Sequence, residues 1–108
     1  MTTRDDTVGP SVIQAALDFA GAGDNTIISG AINQRIKVLQ LFFVVNAAVN
    51  LKFKSGAAEL TGVMNFQANG SMFMDYIQLP LTCNEGDSFI INSSSGVQVS
   101  GTIWYIQG

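Results

Sequence analysis

The stretch from Arg35 to Gly56, RIKVLQLFFVVNAAVNLKFKSG, constrains the fold more than any other part of the chain. Arg35-Ile36-Lys37-Val38 alternates charged and apolar residues, and Val49-Asn50-Leu51-Lys52-Phe53-Lys54 alternates again. Strict alternation marks a strand with one wet face and one buried face. Between these segments, Leu39 to Val45 is apolar except for Gln40, as in a strand buried on both sides. Asn46-Ala47-Ala48 reads as the turn between them. The expectation is two β-strands joined by a tight connection, the first covered on its second side by another subunit or another protein.

Composition sharpens that expectation. The chain has 108 residues, enough for one domain with one core. Hydrophobic residues make up 47% and charged residues 12%, about half the usual charged share. So few charges on a chain this apolar argue against disorder and for extensive protein contacts. The net charge of −3 leaves no electrostatic footprint for nucleic acid. No 18-residue apolar run suggests a transmembrane helix, and the opening MTTRDDTVGP lacks the apolar core of a secretory signal. The chain reads as a soluble, cytoplasmically made domain prone to oligomerise.

The same inventory argues against catalysis. The sequence contains no His, which removes the commonest general base and metal ligand. Its one cysteine, Cys83, has no partner for an intrachain disulfide and reads as a small buried filler. Asn84-Glu85-Gly86-Asp87 carries oxygen ligands but not the spacing of a calcium loop. No catalytic residue, cofactor or metal is expected.

Along the chain, residues 1–10 read as a flexible arm and residues 11–108 as the domain. Residues 11–20 fit a helix opened by a Ser11/Gln14 capping box. They also fit a strand with Ile13, Ala15, Leu17 and Phe19 on one face. Agreement with the β-rich remainder favours the strand. Further strands are expected over Thr26–Ser29, Val63–Gln67, Met72–Leu81, Ser88–Asn92 and Val97–Gln107. Asn69-Gly70 gives the clearest turn. In the last strand Val97, Val99, Ile103 and Tyr105 share one face, while Trp104 and Ile106 interrupt the polar face. Met64, Met72 and Met74 with Phe66 and Phe73 read as core. About eight short strands, punctuated every ten residues or so, suggest an antiparallel sandwich or barrel.

Two surfaces stand out. Leu39, Leu41, Phe43, Val45, Trp104 and Ile106 are candidates for an oligomer or partner interface, since Trp and apolar residues are favoured there. Arg35, Lys37, Lys52 and Lys54 are candidates for a basic docking patch on the wet face of the central strands.

From Asp24 to Ile106 the chain also resembles small structural proteins of bacteriophages. The resemblance is carried by Asp24-Asn25-Thr26-Ile27, Arg35-Ile36-Lys37-Val38, Phe53-Lys54-Ser55-Gly56, Leu60-Thr61-Gly62, Asn69-Gly70, Glu85-Gly86-Asp87 and Gly101-Thr102-Ile103-Trp104-Tyr105. It implies an all-β, single-domain antiparallel sandwich of jelly-roll type. It further implies a homotrimeric capsid decoration (cement) protein on the virion surface that binds the major capsid protein. The alternative is a tail-fibre module that recognises carbohydrate, since jelly rolls host lectins.

Overall fold

The structure, a computed structural model, describes residues 11–76 and 78–108; the arm expected at residues 1–10 lies outside the described residues. Among the described residues ten strands follow in order: β1 (Ile13–Phe19), β2 (Gly23–Ile28), β3 (Ile36–Val45), β4 (Val49–Ser55), β5 (Ala58–Glu59), β6 (Met64–Phe66), β7 (Ser71–Asp75), β8 (Leu81–Thr82), β9 (Phe89–Ser93) and β10 (Val99–Gln107). They form two antiparallel sheets. Sheet A has the order β1-β10-β3-β7, with β8 also paired to β3. Sheet B has the order β2-β9-β4-β5, with β6 also paired to β4.

The long strands alternate between the sheets, and the first and last are nested together: β1 pairs with β10 in sheet A, and β2 with β9 in sheet B. This is the double Greek-key order of a jelly roll. The expected eight strands become ten because a two-residue piece, β5, follows β4, and the region read as one strand over Met72–Leu81 divides into β7 and β8.

The two strands expected in the central stretch form, joined by the short connection at residues 46–48. β3 and β4 are not neighbours in one sheet: the chain crosses from sheet A to sheet B at Asn46–Ala48. Within the chain, β3 is covered on one side only. Ile36, Val38, Leu41, Phe43 and Val45 are fully buried, while Lys37, Phe42 and Val44 are exposed. The inward set changes parity between Val38 and Leu41 because of a bulge: Tyr105 pairs with Val38 and Trp104 with Gln40, leaving Leu39 as the extra residue.

The core lies between the sheets. Phe43 and Phe66 pack with ring centroids 5.3 Å apart. Phe53 meets Phe89 edge-on at 5.6 Å. Such contacts add about 0.5–1.5 kcal/mol beyond burial. Met64, Phe66, Met72 and Met74 pack against this core as expected, but Phe73 points away and is 65% exposed. Gly101 sits where β10 crosses closest to β3; a Cβ there would collide with the backbone carbonyl of Phe42. The Asn69-Gly70 turn forms, with Asn69 in the left-handed region at φ 62°.

Candidate functional site

The outward face of sheet A is the most unusual surface of the molecule. Strand pairing lays its side chains out as a grid. One row runs Ala16, Thr102, Phe42, Phe73 from β1 to β7. The next runs Gln14, Trp104, Gln40, Asp75. On one side of these lies the row Asp18, Ser100, Val44, Ser71; on the other, Ile106 stands opposite Lys37. The centre is therefore aromatic. Phe42 and Phe73 are direct cross-strand partners, and the Phe42 and Trp104 rings lie 6.1 Å apart at 36°. Phe42 is 40% exposed, Val44 46% and Phe73 65%. Isolated exposed apolar residues are ordinary; a contiguous aromatic cluster in the middle of a sheet is the feature that sets this surface apart.

The interface candidates named from sequence divide across this face. Trp104 and Ile106 are half-buried and lie on it. Leu39 is the half-buried bulge residue beside it. Leu41, Phe43 and Val45 point the other way and are completely buried in the core, so they have no surface to offer a partner. Their neighbours Phe42 and Val44, together with Phe73, carry the exposed apolar surface in their place. The signal for them was present: on a strand, the alternate residues belong to the opposite face. The bulge at Leu39 hid which set was which.

The four basic candidates are not brought together. Lys37 lies on the outer face of sheet A and Arg35 just before β3. Lys52 and Lys54 belong to β4, on the outer face of sheet B, the opposite side of the sandwich. Both are also engaged. Lys52 donates to Glu59 at 2.7 Å, and Lys54 donates to both carboxylate oxygens of Asp24 at 3.0 and 3.1 Å. Asn92 adds a 2.7 Å hydrogen bond to Asp24, and Asn65 donates to Asn50 at 2.6 Å. The hydrogen bond from Asn92, then that from Lys54, holds the Asp24 carboxyl below its usual range. The Lys52 hydrogen bond does the same for Glu59. On the outer face of sheet B, Lys52 and Lys54 are paired with carboxylates, and Ile90 lies among them, so the face is not a basic patch.

Cys83 is fully buried, and burial pushes its thiol above the ordinary range. Beside it, Ser55 donates to Asp87 at 2.9 Å and accepts from the Asn84 amide at 2.8 Å, fixing the 84–87 turn to the end of β4. Among the described residues, no three His, Cys, Asp or Glu side chains come together as a metal site.

No family model matches the chain, and no curated protein does. A solved structure does match, from work describing Bacillus endospore appendages as a novel family of disulfide-linked pili. The match has a TM-score of 0.52 and 16% identity, and covers 92% of this chain and 88% of the other. At that identity the likeness is one of fold. It agrees with an all-β sandwich and corrects the capsid decoration reading: the structure the chain resembles comes from endospore appendages, not from a virion shell. The receptor-binding alternative gains no support from it either.

Proposed function

We propose that this chain is a non-enzymatic structural subunit that assembles with copies of itself, as the building block of a multi-subunit surface appendage. The observation that carries the proposal is the aromatic centre of the sheet A outer face, formed by Phe42, Phe73 and Trp104 with Val44 beside them. Burying one such side chain contributes about 1.5–3 kcal/mol. The fold likeness to a pilus subunit supports the same reading. The assembly is held without disulfides, in contrast to the disulfide-linked pili, because the thiol of Cys83 is sealed in the core.

The test is sedimentation and negative-stain electron microscopy of the purified full chain across a concentration series, with and without reductant. The expected result is concentration-dependent oligomers or fibres that survive reductant unchanged. A chain that remains monomeric up to about 100 μM, a Kd range worth only ~5 kcal/mol, overturns the proposal.

A further inference from the structure

The aromatic face alone is small. Four strands about 4.8 Å apart and rows about 7 Å apart give a footprint of roughly 300–400 Å². A standard stable interface takes about 800 Å² from each partner. A self-associating subunit built on this face therefore needs a second contact, and the edges of the sheets are where a β protein has one to offer.

Three of the four edges are poor templates. β2 carries a register shift between Thr26 and Ile28, and the Asn25 amide folds back onto the carbonyls of Gly21 and Gly23. The far edge of sheet B is made of two- and three-residue pieces, β5 and β6. The far edge of sheet A is broken between β7 and β8, with Pro80 just before β8. β1 differs. It pairs with β10 over seven residues in unbroken register, and its sequence IQAALDF has no Pro, Lys or Arg. Apart from the single charge of Asp18, which accepts a hydrogen bond from Gln98, it has none of the features that discourage strand addition.

β1 is also complementary to itself. We infer that β1 of one copy pairs antiparallel with β1 of a second copy about a two-fold axis through Ala16, joining two A sheets edge to edge. In that register Ile13 faces the second copy's Phe19, Gln14 faces Asp18, Ala15 faces Leu17, and Ala16 faces itself. Each polar residue meets a polar one, each apolar residue an apolar one, and the only charge, Asp18, meets an amide. Parallel in-register pairing would instead set Asp18 against Asp18, which is unfavourable.

Exposure at this edge fits the pairing. Ile13 shares the inward parity of the buried Leu17, yet remains 41% exposed where the sandwich opens. The second copy's Phe19 would cover it. Pairing of this kind gives affinity through main-chain hydrogen bonds and specificity through alternate side chains. It also places two aromatic outer faces in one continuous surface.

The inference rests on the self-association proposed above, and the tests separate the two. In the full chain, Ala16→Cys should form a disulfide-linked dimer under mild oxidation, because cross-strand Cα atoms lie about 4.5–5.5 Å apart. Gln14→Cys should not, since its counterpart would sit about 14 Å away along the strand. Gln14→Asp, which sets Asp against Asp18 twice per dimer, should weaken self-association about tenfold, and Gln14→Lys should strengthen it by a similar factor. Equal crosslinking of the two cysteine variants, or equal affinity of the Asp and Lys variants, overturns the edge pairing. If either result comes with intact oligomers of the unaltered chain, the structural role stands without it. If Ala16→Cys crosslinks while Phe73→Asp changes nothing, the edge contact stands and the aromatic face is idle.

Discussion

Phe42 and Lys54 occupy equivalent places. Each points outward from a central strand of its sheet, Phe42 between Thr102 and Phe73, Lys54 between Ile90 and Glu59. Around Lys54 the neighbours complete one another: two ion pairs and an amide ladder satisfy the polar groups of sheet B within the chain. Around Phe42 the Trp104 ring lies alongside and Phe73 stands opposite, and both phenylalanines remain open to water. A solvated face needs polar groups, and pairing them costs the fold little. An aromatic face left open adds little to the stability of the lone chain; most of its favourable term is realised only when a partner covers it.

That contrast can be broken most directly on β3 itself. Phe43→Ala should cost about 3–5 kcal/mol, read as a lower urea midpoint, because it leaves a cavity among Phe53 and Phe66. Phe42→Ala, one residue away, should cost less than about 1 kcal/mol. Similar losses would mean that the outer face belongs to the folding core. Next in size, Phe73→Asp should weaken self-association at least tenfold in sedimentation experiments, the effect of ~1.4 kcal/mol, with an unchanged unfolding midpoint. Thr26→Asp, on the outer face of sheet B, should alter neither quantity; a loss of association there would move the contact to the other sheet.

Smaller effects probe the ion pairs of sheet B. Lys54→Ala should lower stability by only about 0.5 kcal/mol, as for other surface pairs, and leave association untouched. Acid should act in the same direction. Asp24 and Glu59 have carboxyls held below their ordinary values, so their contribution is complete above the unfolded carboxylate range near 4 and fades as the pH falls below it. A slight fall in midpoint between pH 6 and pH 3, reduced in an Asp24→Asn/Glu59→Gln double variant, is the expected result. A midpoint equally acid-sensitive in that variant would show that other carboxylates govern the response.

Much of the fold was legible in the sequence because period-two patterns survive in the strands. β1 takes the strand reading of residues 11–20, with Leu17 and Phe19 on the inward side. In β10, Val99, Ile103 and Tyr105 turn inward while Trp104 and Ile106 interrupt the polar face, as the alternation predicts. The site was less legible, for two physical reasons. A bulge is one unpaired residue, and the run from Leu39 to Val45 is apolar at nearly every position, so nothing local marks where the inward set shifts. The basic residues illustrate the second reason. Lys37 and Lys52 look like neighbours on adjoining strands, but the chain changes sheets at Asn46–Ala48 and places them on opposite sides. Sheet membership is decided by long-range pairing, which spacing along the sequence does not encode.

The nesting of β1 against β10 has a consequence for timing. Ile13 pairs with Tyr105, so β1 has no sheet to belong to until more than ninety further residues have left the ribosome. Chains rich in such distant pairings also fold slowly. Under the proposed edge pairing, a nascent copy therefore cannot present β1 as a sheet edge until β10 has been made, and the joining of copies waits on that strand.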